Sequence, residues 1–411
     1  MTHLTTAAAD TPDVAAVRAA VEQNFPDLWP AVDLGLATAA TLLLADNVDP
    51  VAVIYVGGPS SSKTTVADFF DGHSLCYRSD NFTPAAFVSH AASVSRKDLD
   101  KVDLLPRIKH KLLVTPELAP IFRGKEAELA QRFAILTRVL DGDGLMTDSG
   151  THGQRGYRGD YVFAWLGCTT PIDAIVWRVM AQLGSRLFFQ LMDSDREVSI
   201  EDLVGSESAV PYRARLEQVR VVLHAFLSSL FQTCGGFRGV TWDATADPYD
   251  VKTWIARLAM VLAAMRSEPV REGDPERGRF EYNPAKREQP RRANAVLLNL
   301  ARGHALVHGR RQITQEDLPI LARVVVSSMP SECGAVFVAL VKQGGEPLRT
   351  GQVQDILGVK HAETARKVME DLDRRGVIEL ETNSIGMPAE IRFRAPWAWC
   401  ASPEFQGLLK W

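Results

Sequence analysis

Between residues 51 and about 204, short apolar runs alternate with stretches of helical spacing. The runs 51–56 (VAVIYV), 74–78, 111–115, 161–167 and 187–191 read as strands, and the alternation predicts an α/β fold with a parallel sheet. Residues 13–47 carry helical apolar spacing and lead straight into the first strand, behind a frayed tail over 1 to about 12. Beyond 205 the pattern is helical, with long periodic segments around 212–232, 250–266 and 293–308. The stretch 267–291 interrupts it. Pro, Gly and charge dominate there, so an exposed loop is expected. Pro330 marks a last boundary. The chain thus divides into an N-terminal helical segment (1–48), an α/β core (49–204), a helical region (205–330) and a C-terminal domain with its tail (331–411).

The C-terminal pattern is specific. A helix begins in the Val336–Val341 region, and Thr350-Gly351 opens a short helix, QVQDILG. A turn at Gly358 leads to a longer helix, roughly His361–Arg375, which Gly376 ends. VIELE and EIRFRA then pair as a wing, giving a winged helix-turn-helix. Lys360, Thr364, Arg366 and Lys367 lie near the exposed N-terminal half of the long helix, where such modules meet bases and phosphates. Glu363, Glu370, Asp371 and Asp373 share that helix, so docking to a protein partner stays open beside DNA contact. The aromatic tail PWAWCASPEFQGLLKW is expected to pack on the domain.

Composition narrows the class. The 411 residues are 46% apolar and 23% charged with a net charge of −4, so DNA contact must come from local patches. Five scattered cysteines (Cys76, Cys168, Cys234, Cys333, Cys400) lack metal-ligand or disulfide spacing and fit a reducing cytoplasm. The sequence carries no signal-peptide pattern and no apolar run long enough for a bilayer, so no membrane partner is expected.

The clearest chemistry is VAVIYVGGPSSSKTTVADFF, where a strand, a tight loop, Lys-Thr and a helix follow one another. In a phosphate-binding loop, backbone N–H groups and the positive end of the helix converge on phosphate oxygens. Gly57, Gly58, Pro59, Ser60, Ser61, Ser62, Lys63, Thr64 and Thr65 are the candidate binding residues. Lys63 would reach the terminal phosphates of ATP and the Thr64 hydroxyl would hold Mg²⁺. Ser62 stands where the motif wants glycine, at a backbone position that glycine adopts more freely. An ATPase also needs an acid on a neighbouring strand. Glu117 in KLLVTPEL is the candidate water-polarising base, with Pro116 where an aspartate is usual and Thr115 or Asp80 as possible Mg²⁺ partners.

Gly142 to Asp160 reads as a Gly-rich β-hairpin carrying Arg155 and Arg158, and it feeds into the strand YVFAWLG, which ends Cys168-Thr169-Thr170-Pro171. A polar group at that strand end can touch a γ-phosphate. Arg186, in LGSRLFF, stands at the start of an apolar strand, where an arginine is costly unless paired.

This order resembles the AAA+ ATPases, most closely their clade with a hairpin before the sensor-one strand, which includes the minichromosome maintenance helicases. RVLDGDGL, the hairpin and AWLGCTTP are similar to that clade's helix, hairpin and sensor-one run. PRRANAVLLNLARGHALVHGRRQITQEDL is similar to its sensor-two helix and the stretch after it, with Thr314 capping the next helix before Asp317. The resemblance implies Thr170 as sensor one, Arg186 as an arginine finger given to a neighbouring subunit, and Arg292 as sensor two. It covers roughly residues 50–395. It implies an AAA+ P-loop core with a helical lid, a homo-oligomeric ring, expected to be a hexamer, and DNA as partner, with Arg155 and Arg158 projecting into a channel. The expected function is DNA translocation or remodelling, in a plasmid, phage, mobile or defence setting. The alternative is a nucleotide-gated regulator with weak ATPase activity, which the missing aspartate and loop glycine favour.

Overall fold

The computed structural model describes residues 12–89, 98–149, 153–184, 186–192, 200, 210–268, 270–274, 279–283, 288–381 and 389–410. The tail expected over 1 to about 12, the core–lid boundary at 204/205 and the tips of both expected hairpins lie, wholly or almost so, outside those residues.

Residues 51–191 contribute the strands β1 (Val51–Val56), β2 (Cys76–Arg78), β3 (Leu112–Thr115), β4 (Gly144–Ser149), β5 (Gly153–Arg158), β6 (Ala164–Thr169) and β7 (Leu187–Leu191). Five of them form a parallel sheet in the order β2-β3-β6-β1-β7. Every residue of β1 and β6 is buried. Alternate residues serve opposite layers: Val51, Val53 and Tyr55 pack with Val66, Phe69 and Phe70, while Ala52 and Ile54 pack with Leu118, Phe133 and Met180. Burial on both faces is why these strands read as unbroken apolar runs. The sixth-strand run begins at Ala164 rather than at 161, because Tyr161 N donates to Gly142 O and Val162 O accepts from His110 N, outside the sheet ladder.

β4 and β5 form a separate antiparallel ribbon in the register Gly144↔Arg158 to Ser149↔Gly153. The helices Trp29–Ala40 and Arg291–Val307 lie against each other, and the approach is close. A Cβ on Gly303 would sit 2.3 Å from Ala37 O, so glycine is required there. Tyr55 on β1 donates its hydroxyl to Ala31 O, tying the same N-terminal helix to the sheet.

The stretch 267–291 departs from the expected loop: β8 (Val270–Asp274) and β9 (Arg279–Asn283) pair as an antiparallel ribbon. Phe280 and Tyr282 alternate with charged residues in the sequence, a period-two signal that the surrounding Pro, Gly and charge outweigh in a windowed reading.

After Pro330 come helices Ser331–Lys342, Thr350–Leu357 and Ala362–Arg374 and a sheet β10-β12-β11, made of β10 (Leu348–Arg349), β11 (Ile378–Glu381) and β12 (Glu390–Phe393). The aromatic tail folds back: Trp399 and Phe405 pack on each other and on Trp254 of the helix Tyr249–Arg266. Arg375 is buried, bonded to Asp371 and to carbonyls of Met265 and Ser267, and it fixes this domain to the helix Tyr249–Arg266. Among the described residues no helix is long and apolar enough to cross a membrane.

Candidate functional site

The loop after β1 turns over the carboxyl end of the sheet and enters the helix Lys63–Phe70. Gly57 N donates to Thr169 O at 3.2 Å, joining the loop to the end of β6. Ser60 and Ser62 hold φ of 66° and 60°, in the left-handed region. For a side chain with a Cβ that conformation costs roughly 1–2 kcal/mol. The serine that replaces the motif's glycine therefore adopts the glycine's conformation rather than remodelling the loop. Lys63 Nζ donates to Gly57 O at 2.7 Å, Gly58 O at 2.6 Å and Ser61 Oγ at 2.9 Å, and it forms no ion pair among the described residues. Its charge is thus held at the loop by neutral acceptors alone.

Pro59, Ser60, Ser62 and Thr64 are exposed, Gly58, Ser61 and Lys63 half-buried, and Gly57 buried. Thr65 is buried, with its hydroxyl 2.9 Å from that of Tyr212, so its side chain is engaged by the helix Tyr212–Thr233. Beneath the loop, the Cys168 thiol donates to Lys63 O at 3.3 Å. Burial pushes that thiol up to about 12 despite the nearby Lys63 charge, so it stays a neutral packing group.

The acidic side is less complete. Glu117 is exposed and its Oε1 accepts from Ala119 N at 2.8 Å, a cap on its own turn. It sits at the level of the loop, since Leu118 N bonds Cys168 O just as Gly57 N bonds Thr169 O. The two expected Mg²⁺ helpers differ: the Asp80 side chain is 73% exposed and the Thr115 side chain is buried. Thr115 is buried and its hydroxyl accepts from Trp165 Nε1, while Asp80 pairs with Arg78 at 2.6 Å. Thr64 does fit a metal role, because its hydroxyl lies exposed on the first helical turn. At the end of β6, Thr170 is half-buried. Thr169, 2% exposed, has an Oγ1 with no hydrogen-bond partner among the described residues. The sequence reading had passed over Thr169; adjacent threonines at a strand end give no signal as to which is left unpaired.

Arg186 and Arg292 are brought together, but at the other end of the sheet. Asp49 lies two residues before β1 and Arg186 immediately precedes β7, so both mark the amino edge. Arg292 bonds Asp49 at 3.0 Å and Asp141 at 2.8 Å, and Arg186 bonds the same Asp141 oxygen at 3.3 Å and Gly184 O at 2.6 Å. Glu288 lies close enough for its carboxyl, raised chiefly by burial, to feel both arginines. Six strand residues at ~3.3 Å each put this cluster roughly 20 Å from the phosphate loop. Arg292 therefore stands beside Arg186 and away from the Lys63 of its own chain. The spacing in ARGHA fixed its place on the helix but not the end of the sheet to which that helix leads.

The cations expected to meet DNA divide similarly. Arg155, expected to project, is 9% exposed and bonds Ser89 O at 3.4 Å. It shares a ribbon face with Tyr157, whose hydroxyl donates to the buried Asp103 at 2.8 Å. The ribbon packs that face inward, which corrects the expectation that Arg155 reaches into a channel. Arg158, on the other face, is exposed but sits opposite Gly144 at the ribbon's base. In the C-terminal domain Lys360, Thr364, Arg366 and Lys367 are all exposed. Arg366 pairs with Glu370 and Lys367 with Glu363 on the same helix.

Residues 288–328, the helix Arg291–Val307 through the helix Leu318–Ser327, match the AAA lid domain family. A comparison with curated proteins finds no match. The lid match together with the parallel five-stranded sheet supports an AAA+ ATPase.

Proposed function

We propose that the chain is a ring-forming ATPase whose nucleotide is held between two copies, and that it works on DNA. The observation that carries this is the separation of the two half-sites. Lys63, Thr64 and Glu117 stand at the carboxyl end of the sheet, and Arg186 and Arg292 at its amino end. One chain cannot close both around one triphosphate roughly 20 Å away; two copies stacked head to tail can. Lys63 then holds the terminal phosphates. Thr64 would hold the Mg²⁺ ion, which when bound neutralises phosphate charge. Glu117 orients water, with Thr170 or its neighbour Thr169 at the γ-phosphate. Arg186 and Arg292 arrive from the adjoining copy. DNA is met by Arg158 at the ribbon and by Lys360, Thr364, Arg366 and Lys367 of a C-terminal winged helix-turn-helix.

The test is a mixture of Lys63→Ala and Arg186→Ala chains. Each alone lacks one half of every site, but a mixed interface restores one complete site, so ATPase activity should reappear on mixing. A protein that stays monomeric with ATP and DNA, with Arg186→Ala turning over normally, overturns the reading.

A second reading, a nucleotide-gated regulator, is favoured by the burial of Arg155 and the local pairing of Arg366 and Lys367. DNA-stimulated ATPase separates the two. A translocase loses stimulation in Arg158→Ala with the C-terminal domain intact. A regulator loses DNA binding only in the Arg366→Ala, Lys367→Ala double variant, and its ATPase ignores DNA.

A further inference from the structure

We infer that Asp33, His304 and His308 form a binding site for a divalent transition metal ion, zinc by its donor set, that braces the lid against the N-terminal helix. The donors come from two elements. Asp33 belongs to the helix Trp29–Ala40, His304 to the last turn of Arg291–Val307, and His308 follows directly. A separation of four residues sets both rings on one side of that helix, with centroids 4.4 Å apart. Asp33 Oδ2 lies 3.2 Å from His304 Nε2, and Oδ1 lies 3.1 Å from His308 Nε2. One donor atom from each residue falls within 4.8 Å of the others. Around a tetrahedral zinc with ligands at about 2.0–2.1 Å, donor atoms are about 3.3–3.4 Å apart. The two measured contacts run to different oxygens of Asp33, and each is within a few tenths of that spacing, so the carboxylate can meet the ion through either oxygen or both. His304 is nearly buried, while the His308 side chain is 30% exposed, so the fourth corner opens to water on the His308 side.

A second shell is in place as well. His304 Nδ1 lies 2.5 Å from Asp317 Oδ1. Asp317 is itself held by Arg310 and by Thr314 N. An ionised carboxylate only accepts, so Nδ1 carries the proton and Nε2 points at Asp33 and His308. A carboxylate on the far ring nitrogen is how metal-binding histidines are oriented.

The competing occupant of the same contacts is a proton. Burial would lower the His304 pKa, but Asp317 and Asp33 outweigh it and raise it to about 9. Without a metal, a proton on Nε2 thus bridges His304 to Asp33. That proton accounts for one histidine. The contact of His308 Nε2 with the other Asp33 oxygen, at 3.1 Å, sets a second imidazole nitrogen beside the same carboxylate, the third donor that a metal site needs. A metal uses all three donors and displaces the Nε2 proton to solvent. Arg323, whose charge also reaches Asp33, opposes a further cation and keeps the affinity below that of all-cysteine structural sites.

The experiment uses the untagged full chain, titrated with Co²⁺ and read by visible absorption, then with Zn²⁺ in competition. One Co²⁺ per chain with the intense bands of a tetrahedral site, displaced by Zn²⁺, is expected. His308→Gln, at a partly exposed position, and Asp33→Asn should each weaken binding by at least about tenfold. Lys63→Ala should leave it unchanged, which separates this site from the nucleotide site. The inference is overturned if the wild type binds neither ion, if His308→Gln, shown folded by circular dichroism, binds as tightly as the wild type, or if Lys63→Ala abolishes binding.

Discussion

The two ends of the core sheet hold their cations differently. At the carboxyl end Lys63 rests on two carbonyls and a hydroxyl, all neutral, on a loop with two serines in left-handed backbone. At the amino end Arg186 and Arg292 are clamped on carboxylates, Asp141 and Asp49, with Arg138 on the second Asp141 oxygen. A phosphate that meets Lys63 replaces dipoles with a charge, a large gain. A phosphate that meets Arg186 must compete with Asp141 for a partner it already has. On the proposed function, the loop half would recruit nucleotide and the arginine half would sense it, with turnover depending on a neighbouring copy giving up part of an ion-pair network.

The sharpest way to break that contrast is Lys63→Ala. Calorimetry should show nucleotide binding abolished, because Lys63 is the cation that the loop's own carbonyls hold in place. Unchanged affinity would remove the loop from the site. Arg186→Ala should instead leave nucleotide affinity near wild type and lower turnover by about a thousandfold, in the range that arginine fingers supply. A fall in affinity equal to the fall in turnover would mean that the amino end recruits nucleotide too, and the contrast would collapse.

The carboxyl end was far more legible in the sequence than the amino end, and the reason is locality. Strand, loop, Lys63 and helix are contiguous, so motif and backbone requirement are written in one stretch, down to the left-handed conformation demanded of Ser62. The sheet strands were legible because burial on both faces leaves unbroken apolar runs. The Asp141–Arg186–Arg292 cluster unites residues from three distant segments, and nothing local in any of them names the others. Arg155 misled for a related reason. A hairpin arginine on the inward face reads like one on the outward face until the partner, here Ser89 and its neighbours, is known. The β8/β9 ribbon hid behind its own polarity.

Glu117 tests how complete the carboxyl end is. Glu117→Gln should bind ATP normally and turn over about a hundredfold more slowly, within the range a positioned general base contributes. Single-turnover hydrolysis measures this directly. Wild-type turnover would return Glu117 to the role its hydrogen bond to Ala119 already gives it, a turn cap. Catalysis would then have to come from elsewhere at that edge.

The smallest effect concerns the loop itself. Ser62 holds φ near 60° at the helix start without a side-chain capping bond to repay it, so its conformation is a cost to the fold. Glycine adopts that region without strain but loses more freedom on folding. Ser62→Gly should therefore stabilise the protein by no more than about 1 kcal/mol, the left-handed penalty less glycine's entropy. A chain of this size would show that as a melting shift of only a few degrees at most. Ser62→Val, with a β-branched side chain in the same backbone, should shift melting the other way and weaken nucleotide binding together with it. If Ser62→Gly lowers the melting temperature, the serine side chain contributes something its exposed position does not reveal. The loop's difference from the clamped amino end would then rest on Lys63 alone.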